Sequence, residues 1–457
     1  MKPSFRQSGQ FKLLVFLILA ASVLRVFLCF QHNPMDARYL FSDMARHWLD
    51  GTLFPRAGYG GAGDPFLYQA YIGALSRIAH GHAWPVALAS ALLSVLTPWT
   101  YYRAARNFGL RKLPALWVWA LIAWTPSLLA IFHYILMETL LLFLEGLALW
   151  MTARYLRKGG TEAFLVSVFA WTLACLTKPT VVPLAGVCLL WSWWKKSPKL
   201  RDVAIAAALV FVLLIPQAIR SKVVLGFFAP LGNDWFTKIQ HRSGARSIHL
   251  YLHTQANPVF HSHESFSEMI ASSPSVDIRP LWPVSDWAMS RAYQKSNITL
   301  RIDSAHGSQD WRTAYSTLDG GWEEWLTQWR ENVVLFLFSP SWPEWSVSEW
   351  DDKLEFGARW MWAPLIFFVL VFNFRAFLRR QFELLSVAVT LFTLFLALQN
   401  VVTFEGRYRK PLEPLLLLNL VWIVAAHRAA HPQNDETLDD LSTKHAVQGN
   451  ITNAIQN

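Results

Sequence analysis

The chain has 457 residues, 53% apolar and 15% aromatic but only 16% charged, which is more apolar than a soluble globular protein of that length. Its formal net charge of +10 does not point to nucleic acid, because Lys and Arg cluster in short stretches between apolar runs, where membrane topology places them. Cys29, Cys175 and Cys188 all fall inside apolar runs, which excludes a disulfide framework. Apolar runs recurring along nearly the whole chain also exclude a lone removable signal peptide as their explanation.

The expected fold is an all-α polytopic integral membrane protein with about ten transmembrane helices and one large exterior loop domain of mixed structure. The first span runs from Phe11 to Phe30 behind Lys2, Arg6 and Lys12, so it starts in the cytoplasm and ends outside. The first exterior loop, 31–82, contains the apolar stretch PFLYQAYIGALSRIA at 65–79. That stretch is short and carries Arg77, and reading it as a span would put Arg103, Arg106, Arg111 and Lys112 outside, so it reads as an interfacial helix.

Further spans fall near 83–102, 113–131, 134–153, 162–177, 179–194, 202–219, 356–374, 381–399 and 411–427. With these, Arg103 to Lys112, Arg154 to Lys158, Lys195 to Arg201 and Arg375 to Arg380 all lie inside. The chain divides into an N-terminal transmembrane module (1–219), an exterior Trp-rich loop domain (220–355), C-terminal helices (356–428) and a disordered cytoplasmic tail (429–457). Tryptophans such as Trp235, Trp282, Trp322 and Trp345 in the large loop either stack on sugar rings or form an interfacial belt and local core.

Chemistry-bearing residues gather at the exterior ends. Asp36 and Asp43, in NPMDARYLFSDMARHWLDG, stand seven residues apart on one face of a short helix just past the first span. A carboxylate at a boundary between water and lipid can have its pKa raised enough to act as a base toward a hydroxyl; the alternative is two ordinary loop acids. In HYILMET, His133 and Tyr134 lie at the exterior rim and Glu138 about one turn into the next span, with Glu145 deeper on the same face.

Intramembrane carboxylates are costly and face a cavity or a partner. Glu138 therefore reads as a substrate contact with His133 and Tyr134, and Glu145 as a neutral or hydrogen-bonded packing residue. Lys178, in LTKPT, either binds an anion or snorkels to the rim. Arg220, Arg407 and Arg409 lie outside against the charge trend, and the guanidinium fork matches phosphate oxygens; Tyr408 sits between the last two. Headgroup anchoring is the alternative, and it suits Arg25 and Arg77 better. The phosphate loop GxxxxGK[ST], CxxC, HExxH and GxSxG are all absent from the sequence.

In order and content these landmarks resemble the polytopic glycosyltransferases of the GT-C superfamily, in the bacterial protein mannosyltransferase and aminoarabinose transferase (glycosyltransferase family 39-like) branch. The motifs are Asp36 with Tyr39 after the first span, Pro65, Tyr68 and Tyr71 in the interfacial helix, LMET, KPT, the stretch from Pro216 to Arg220 running into GFFAPLGND, and RYRKPLEP. The resemblance implies a bacterial inner-membrane enzyme with its active site in the first exterior loop. It moves a sugar from a polyprenyl-phosphate donor to a glycan, lipid or protein acceptor.

By the same resemblance Asp36, or alternately Asp43, is the general base of an inverting transfer. Lys178, Arg220, Arg407 and Arg409 meet the donor phosphate, and no cofactor is expected. A divalent cation held by Asp36, Asp43 and Asp64 would instead suit a pyrophosphate lipid. The chain departs from the family where Ala37 follows Asp36, in place of a paired Asp-Glu, and where Gln217 and Ser221 interrupt the usual PWxIRN. Competing expectations are a lipid-linked polysaccharide polymerase or ligase working through Arg242 or Arg246 of the large loop, and a transporter path along Glu138, Glu145 and Lys178.

Overall fold

A computed structural model describes residues 5–30, 66–79, 82, 84–133, 136–225, 228–231, 245–252, 276–280, 297–303, 333, 336–337, 349–398 and 409–430. The described chain is mostly helical. Its first helix, α1 (Phe5–Phe30), is followed by α2 (Phe66–Ala79), α3 (Trp84–Asn107), α4 (Lys112–Trp124) and the short α5 (Pro126–Ala130). A 3-10 turn (Ile131–His133) leads to α6 (Met137–Lys158) and α7 (Thr161–Thr177), and a second (Pro179–Val181) to α8 (Val182–Lys196) and α9 (Leu200–Leu225). The later helices are α10 (Glu349–Leu378), α11 (Leu384–Leu398) and α12 (Glu413–Ala430). Strands β1 (Ala245–Leu252), β2 (Val276–Pro280) and β3 (Asn297–Asp303) form an antiparallel sheet in the order β2-β1-β3. Its register sets Ile248 opposite Pro280 on one side and Leu300 on the other.

Among the described residues, four segments are long and apolar enough to cross a membrane: Gly9–Phe30, Met137–Lys158, Leu200–Val223 and Met361–Leu378. Helix flanks leave large apolar side chains outward, among them Phe16 at 66%, Leu190 at 72% and Leu200 at 83% exposure. Charged groups such as Arg25, Glu138, Glu145, Lys178, Arg409 and Glu413 are buried. That inversion suits a lipid solvent and not water, and the protein is a membrane protein.

Several expected boundaries move. The span at 113–131 is broken: α4 stops at Trp124, Thr125 is extended (φ −60°, ψ 120°), and Pro126 opens α5. Pro126 lacks an N–H and fixes its own φ, so the helix restarts there and does not run through. The helix at the HYILMET motif begins at Met137, after an extended Leu136, which puts Glu138 in its first turn and not one turn into it. Helix α9 continues to Leu225 through Pro216, so Arg220 lies on a helix and not beyond one. The acids Asp36 and Asp43, most of the Trp-rich loop and the 431–457 tail lie outside the described residues.

Arg25 corrects an expectation outright. Its sequence context suits a headgroup anchor, yet it is buried and its guanidinium donates to Ile122 O (2.7 Å), Ala123 O (2.9 Å) and Ser94 O (3.1 Å). Proline explains the choice of acceptors. Ile122 is four residues before Pro126, and Ser94 four before Pro98 inside α3, so neither carbonyl can receive the usual helical N–H. One arginine on α1 thus satisfies carbonyls that two prolines orphan on two other helices, and its guanidinium carbon lies 5.5 Å from the Phe132 ring centroid.

The centre of the bundle is the contact of α3 with α6. It is close because position 146 has no side chain: a Cβ there would lie 2.2 Å from Thr100 Oγ1 and 2.8 Å from the Tyr101 ring. Beside it the Tyr101 hydroxyl donates to Glu145 Oε1 at 3.0 Å, in keeping with the expected hydrogen-bonded packing role. Thr152 and Ser167 share a 2.7 Å hydrogen bond between α6 and α7, and Asn419 Nδ2 donates to Asn373 Oδ1 (3.2 Å) between α12 and α10.

Candidate functional site

The start of α6, the end of α7 and the start of α12 meet around a set of buried charges. Lys178 is extended (φ −152°, ψ 110°) because Pro179 follows it and opens the second 3-10 turn. That geometry ends α7 and turns the ammonium onto Glu138 Oε1 at 2.7 Å, with both side chains buried. Two residues that the sequence placed in separate roles, forty positions apart, therefore form one ion pair.

The second part is built by RKPLE. Lys410 and Glu413 are three residues apart across the turn into α12, and Lys410 Nζ lies 3.1 Å from Glu413 Oε2. Arg409 Nε reaches Glu413 Oε1 at 3.4 Å, its Nη1 donates to Phe336 O, and its guanidinium carbon is 5.9 Å from the Trp362 ring centroid. Ser127, at the restart of the helix after Pro126, donates to Glu413 Oε2 (2.8 Å), and its carbonyl accepts from Lys410 Nζ (2.7 Å).

All of these groups are buried. Burial pushes the Lys410 ammonium down to about 8; Glu413, and more weakly Glu138, favour its charged form while Arg409 opposes it. Glu138 is thus close enough to act on Lys410, which makes the two pairs one electrostatic unit.

Arg220 stands in a third group. Its Nη2 donates to Gln69 Oε1 of α2 at 2.7 Å and its Nη1 to Gln217 Oε1 at 3.4 Å. Gln217 Oε1 also accepts from the Phe66 N–H (3.0 Å), and Gln217 Nε2 donates to Ser221 Oγ (3.0 Å). Of the two positions where the sequence departs from PWxIRN, Gln217 therefore ties α9 to the start of α2 and Ser221 braces Gln217. Tyr68 and Ile72 of α2 pack in turn on Met137 and Leu140 of α6, beside Glu138.

Of the residues singled out from sequence, the structure brings Glu138 together with Lys178 and places Arg409 in the same electrostatic unit. His133 occupies the 3-10 turn before α6. Asp36, Asp43, Tyr134, Arg407 and Tyr408 lie outside the described residues. Sequence reasoning missed Lys410, Glu413, Ser127, Gln69 and Gln217. The i, i+3 spacing of Lys410 and Glu413 was a usable signal, whereas nothing local marked Gln69 as a partner of a residue 151 positions away. Among the described residues no three His, Cys, Asp or Glu side chains gather as a metal site would require.

Residues 64–219 match the family model of dolichyl-phosphate-mannose-protein mannosyltransferases, and no curated protein matches the chain. The matched stretch holds Gln69, Glu138, Lys178 and Gln217; it stops one residue before Arg220 and well short of Arg409. The match covers about a third of the chain and bears out, over that stretch, the resemblance read from the motifs.

Proposed function

We propose that the protein transfers a sugar from a polyprenyl-phosphate donor to an acceptor glycan, lipid or protein at the exterior face of a bacterial inner membrane, which it crosses many times. The observation that carries this is the gathering of Lys178, Arg409 and Lys410 with Glu138 and Glu413 at one end of α6, in a chain whose 64–219 segment matches a family named for a lipid-phosphate sugar donor. Buried cations held by carboxylates and carbonyls are preorganised. They can meet the charge that develops on a leaving phosphate without rearranging.

In this mechanism the acceptor oxygen attacks the anomeric carbon from the face opposite the lipid phosphate. The bond from that carbon to the phosphate oxygen breaks, its electron pair stays on the phosphate, and the configuration inverts. The acceptor proton passes to a first-loop carboxylate, Asp36 or alternately Asp43. Lys178, Arg220, Arg407 and Arg409 meet the phosphate, and Lys410 joins them. His133, Tyr134, Glu138 and Tyr408 contact the sugar or orient the cations. With the phosphate met by side chains, the reaction has no need of a divalent ion.

The test is release or transfer of labelled sugar from a panel of polyprenyl-phosphate sugars by the purified protein in detergent. Turnover that disappears in Asp36→Asn and in Lys178→Met, with both variants still folded, is the expected result. Turnover untouched by either substitution, or dependent on Arg242 and Arg246 instead, would overturn the assignment.

A further inference from the structure

The other end of α6 carries charge that glycosyl transfer does not use. Helices α3 and α6 finish side by side, and between their ends lies an open pocket of about 340 Å³ lined by Tyr102, Arg103, Arg106, Asn107, Arg157 and Lys158. Four of its six lining residues are cations and none is a carboxylate. The nearby acids of the α7 and α9 starts are engaged elsewhere: Glu162 with Arg154 at 4.0 Å, and Asp202 with Arg201 (3.4 Å) and Thr161 (2.9 Å).

The three arginines are held in place. Arg157 Nη1 donates to Arg106 O at 2.9 Å, linking the two helix ends, and Arg106 Nη1 donates to Leu110 O at 2.9 Å. The Arg103 guanidinium carbon lies 4.6 Å from the Trp150 ring centroid and 5.5 Å from that of Trp99, and the two indoles meet edge to face at 5.0 Å. A guanidinium stacked on two rings keeps donors free along its edge. The bland account is that arginines cap the last carbonyls of two helices and mark a cytoplasmic face. That account explains Arg106 and Arg157, but not an indole-stacked Arg103 and a Lys158 converging on the same cavity.

The volume is at the small end of the roughly 300–1,000 Å³ found for ligand pockets. The tryptophans place it at headgroup depth, where basic pockets between helix ends take phosphorylated headgroups. We propose that this pocket binds a phosphate anion of about two negative charges, presented as the headgroup of an anionic lipid. Its leaflet is the one away from the buried cation site, roughly 30 Å distant along the 22-residue α6. The proposal stands whether or not the glycosyl transfer reading does.

The test uses the full chain, purified in an uncharged detergent, with thermal unfolding and binding followed by tryptophan fluorescence. The probes are dioctanoyl phosphatidic acid, dioctanoyl phosphatidylcholine and inorganic pyrophosphate. Wild type is compared with R103Q/K158Q, and with R379Q/R380Q as a second basic cluster at a helix end. Phosphatidic acid should bind and stabilise wild type, and bind R103Q/K158Q about thirtyfold more weakly, since each basic residue near an anionic headgroup contributes about fivefold. R379Q/R380Q should match wild type, and phosphatidylcholine should do nothing.

Pyrophosphate stabilising as well as phosphatidic acid, and losing its effect in R103Q/K158Q, would support the same phosphate site with a soluble occupant. Equal affinity of phosphatidic acid for wild type and R103Q/K158Q, or an equal loss in R379Q/R380Q, would overturn the proposal. Should R103Q/K158Q fail to fold, K158Q alone carries the test, with an expected loss of about fivefold.

Discussion

At the start of α6, Glu138 is buried and holds Lys178 at 2.7 Å; at its end, Arg157 and Lys158 are exposed and line a pocket in which no carboxylate stands. One helix therefore carries charge under two regimes. Taking ions out of water costs several kcal/mol apiece unless partners replace the water, so every described cation at the buried end has an anion, amide or carbonyl beside it. At the exposed end water and headgroups do that work, and cations can gather without acids. A buried cation with a built partner set is the costlier feature, and it is the one that marks the candidate site of sugar transfer.

The sharpest way to break this contrast is to remove one charge from each end. Glu138→Gln leaves the Lys178 ammonium in a buried site without its carboxylate and should destabilise the protein by about 3–5 kcal/mol. Glu138→Gln combined with Lys178→Met should recover a large part of that loss, which thermal unfolding of the three variants will show. Neither the single nor the double variant should turn over donor if the pair works in catalysis. Lys158→Gln, by contrast, should leave the unfolding temperature nearly unchanged, and a cost like that of Glu138→Gln would erase the distinction drawn between the two ends.

Arg25 extends the contrast to a buried cation whose partners are all carbonyls. Arg25→Met should cost about 2–3 kcal/mol, because buried carbonyls of Ser94 and Ile122 lose their donor. Pro98→Ala supplies an N–H four residues after Ser94, so it should offset part of that cost in the Arg25→Met background. The two substitutions measured separately and together by thermal unfolding give a coupling; additive effects would mean that the arginine does not serve the proline-orphaned carbonyl. Next in size is Gly146→Ala, expected to cost about 2 kcal/mol by overpacking α3 against α6. Thr100→Ala removes the atom at 2.2 Å and should return part of it.

How much of this was legible in the sequence depends on distance along the chain. Apolar runs located the helices near 11–30, 83–102, 162–177, 202–219 and 381–399, because a span announces itself locally. The break at Thr125 was also local, written in Pro126, but it was absorbed into an apolar run. Arg25 was misassigned for the same reason: a cation in a span reads as snorkelling until the prolines at 98 and 126 are counted as donors lost.

The buried site was half legible. Glu138, Lys178, Arg220 and Arg409 were singled out by residue type and position. Which of them meet was not readable, since 40 residues separate Glu138 from Lys178, and 286 separate Ser127 from Glu413. Helix ends far apart in sequence are brought together by packing that no spacing rule encodes.

The pH dependence of Lys410 is the most diagnostic effect for the buried end. The Lys410 ammonium is pushed down to about 8 by burial, against an ordinary 10.5. Between those values the unfolded chain keeps a proton that the folded chain sheds, so stability should rise with pH from about 8 toward 10.5; below 8 both states are protonated and the contribution is flat. Catalysis should move the other way. If the charged ammonium meets the leaving phosphate, turnover should fall as pH climbs through 8, approaching a tenfold loss by about pH 9. Rate and stability diverging over the same interval would tie both to one group, and Lys410→Arg, which stays charged throughout, should abolish the two slopes together. A rate limb that survives in Lys410→Arg would assign the titration elsewhere and leave Lys410 as packing for Glu413 and Ser127.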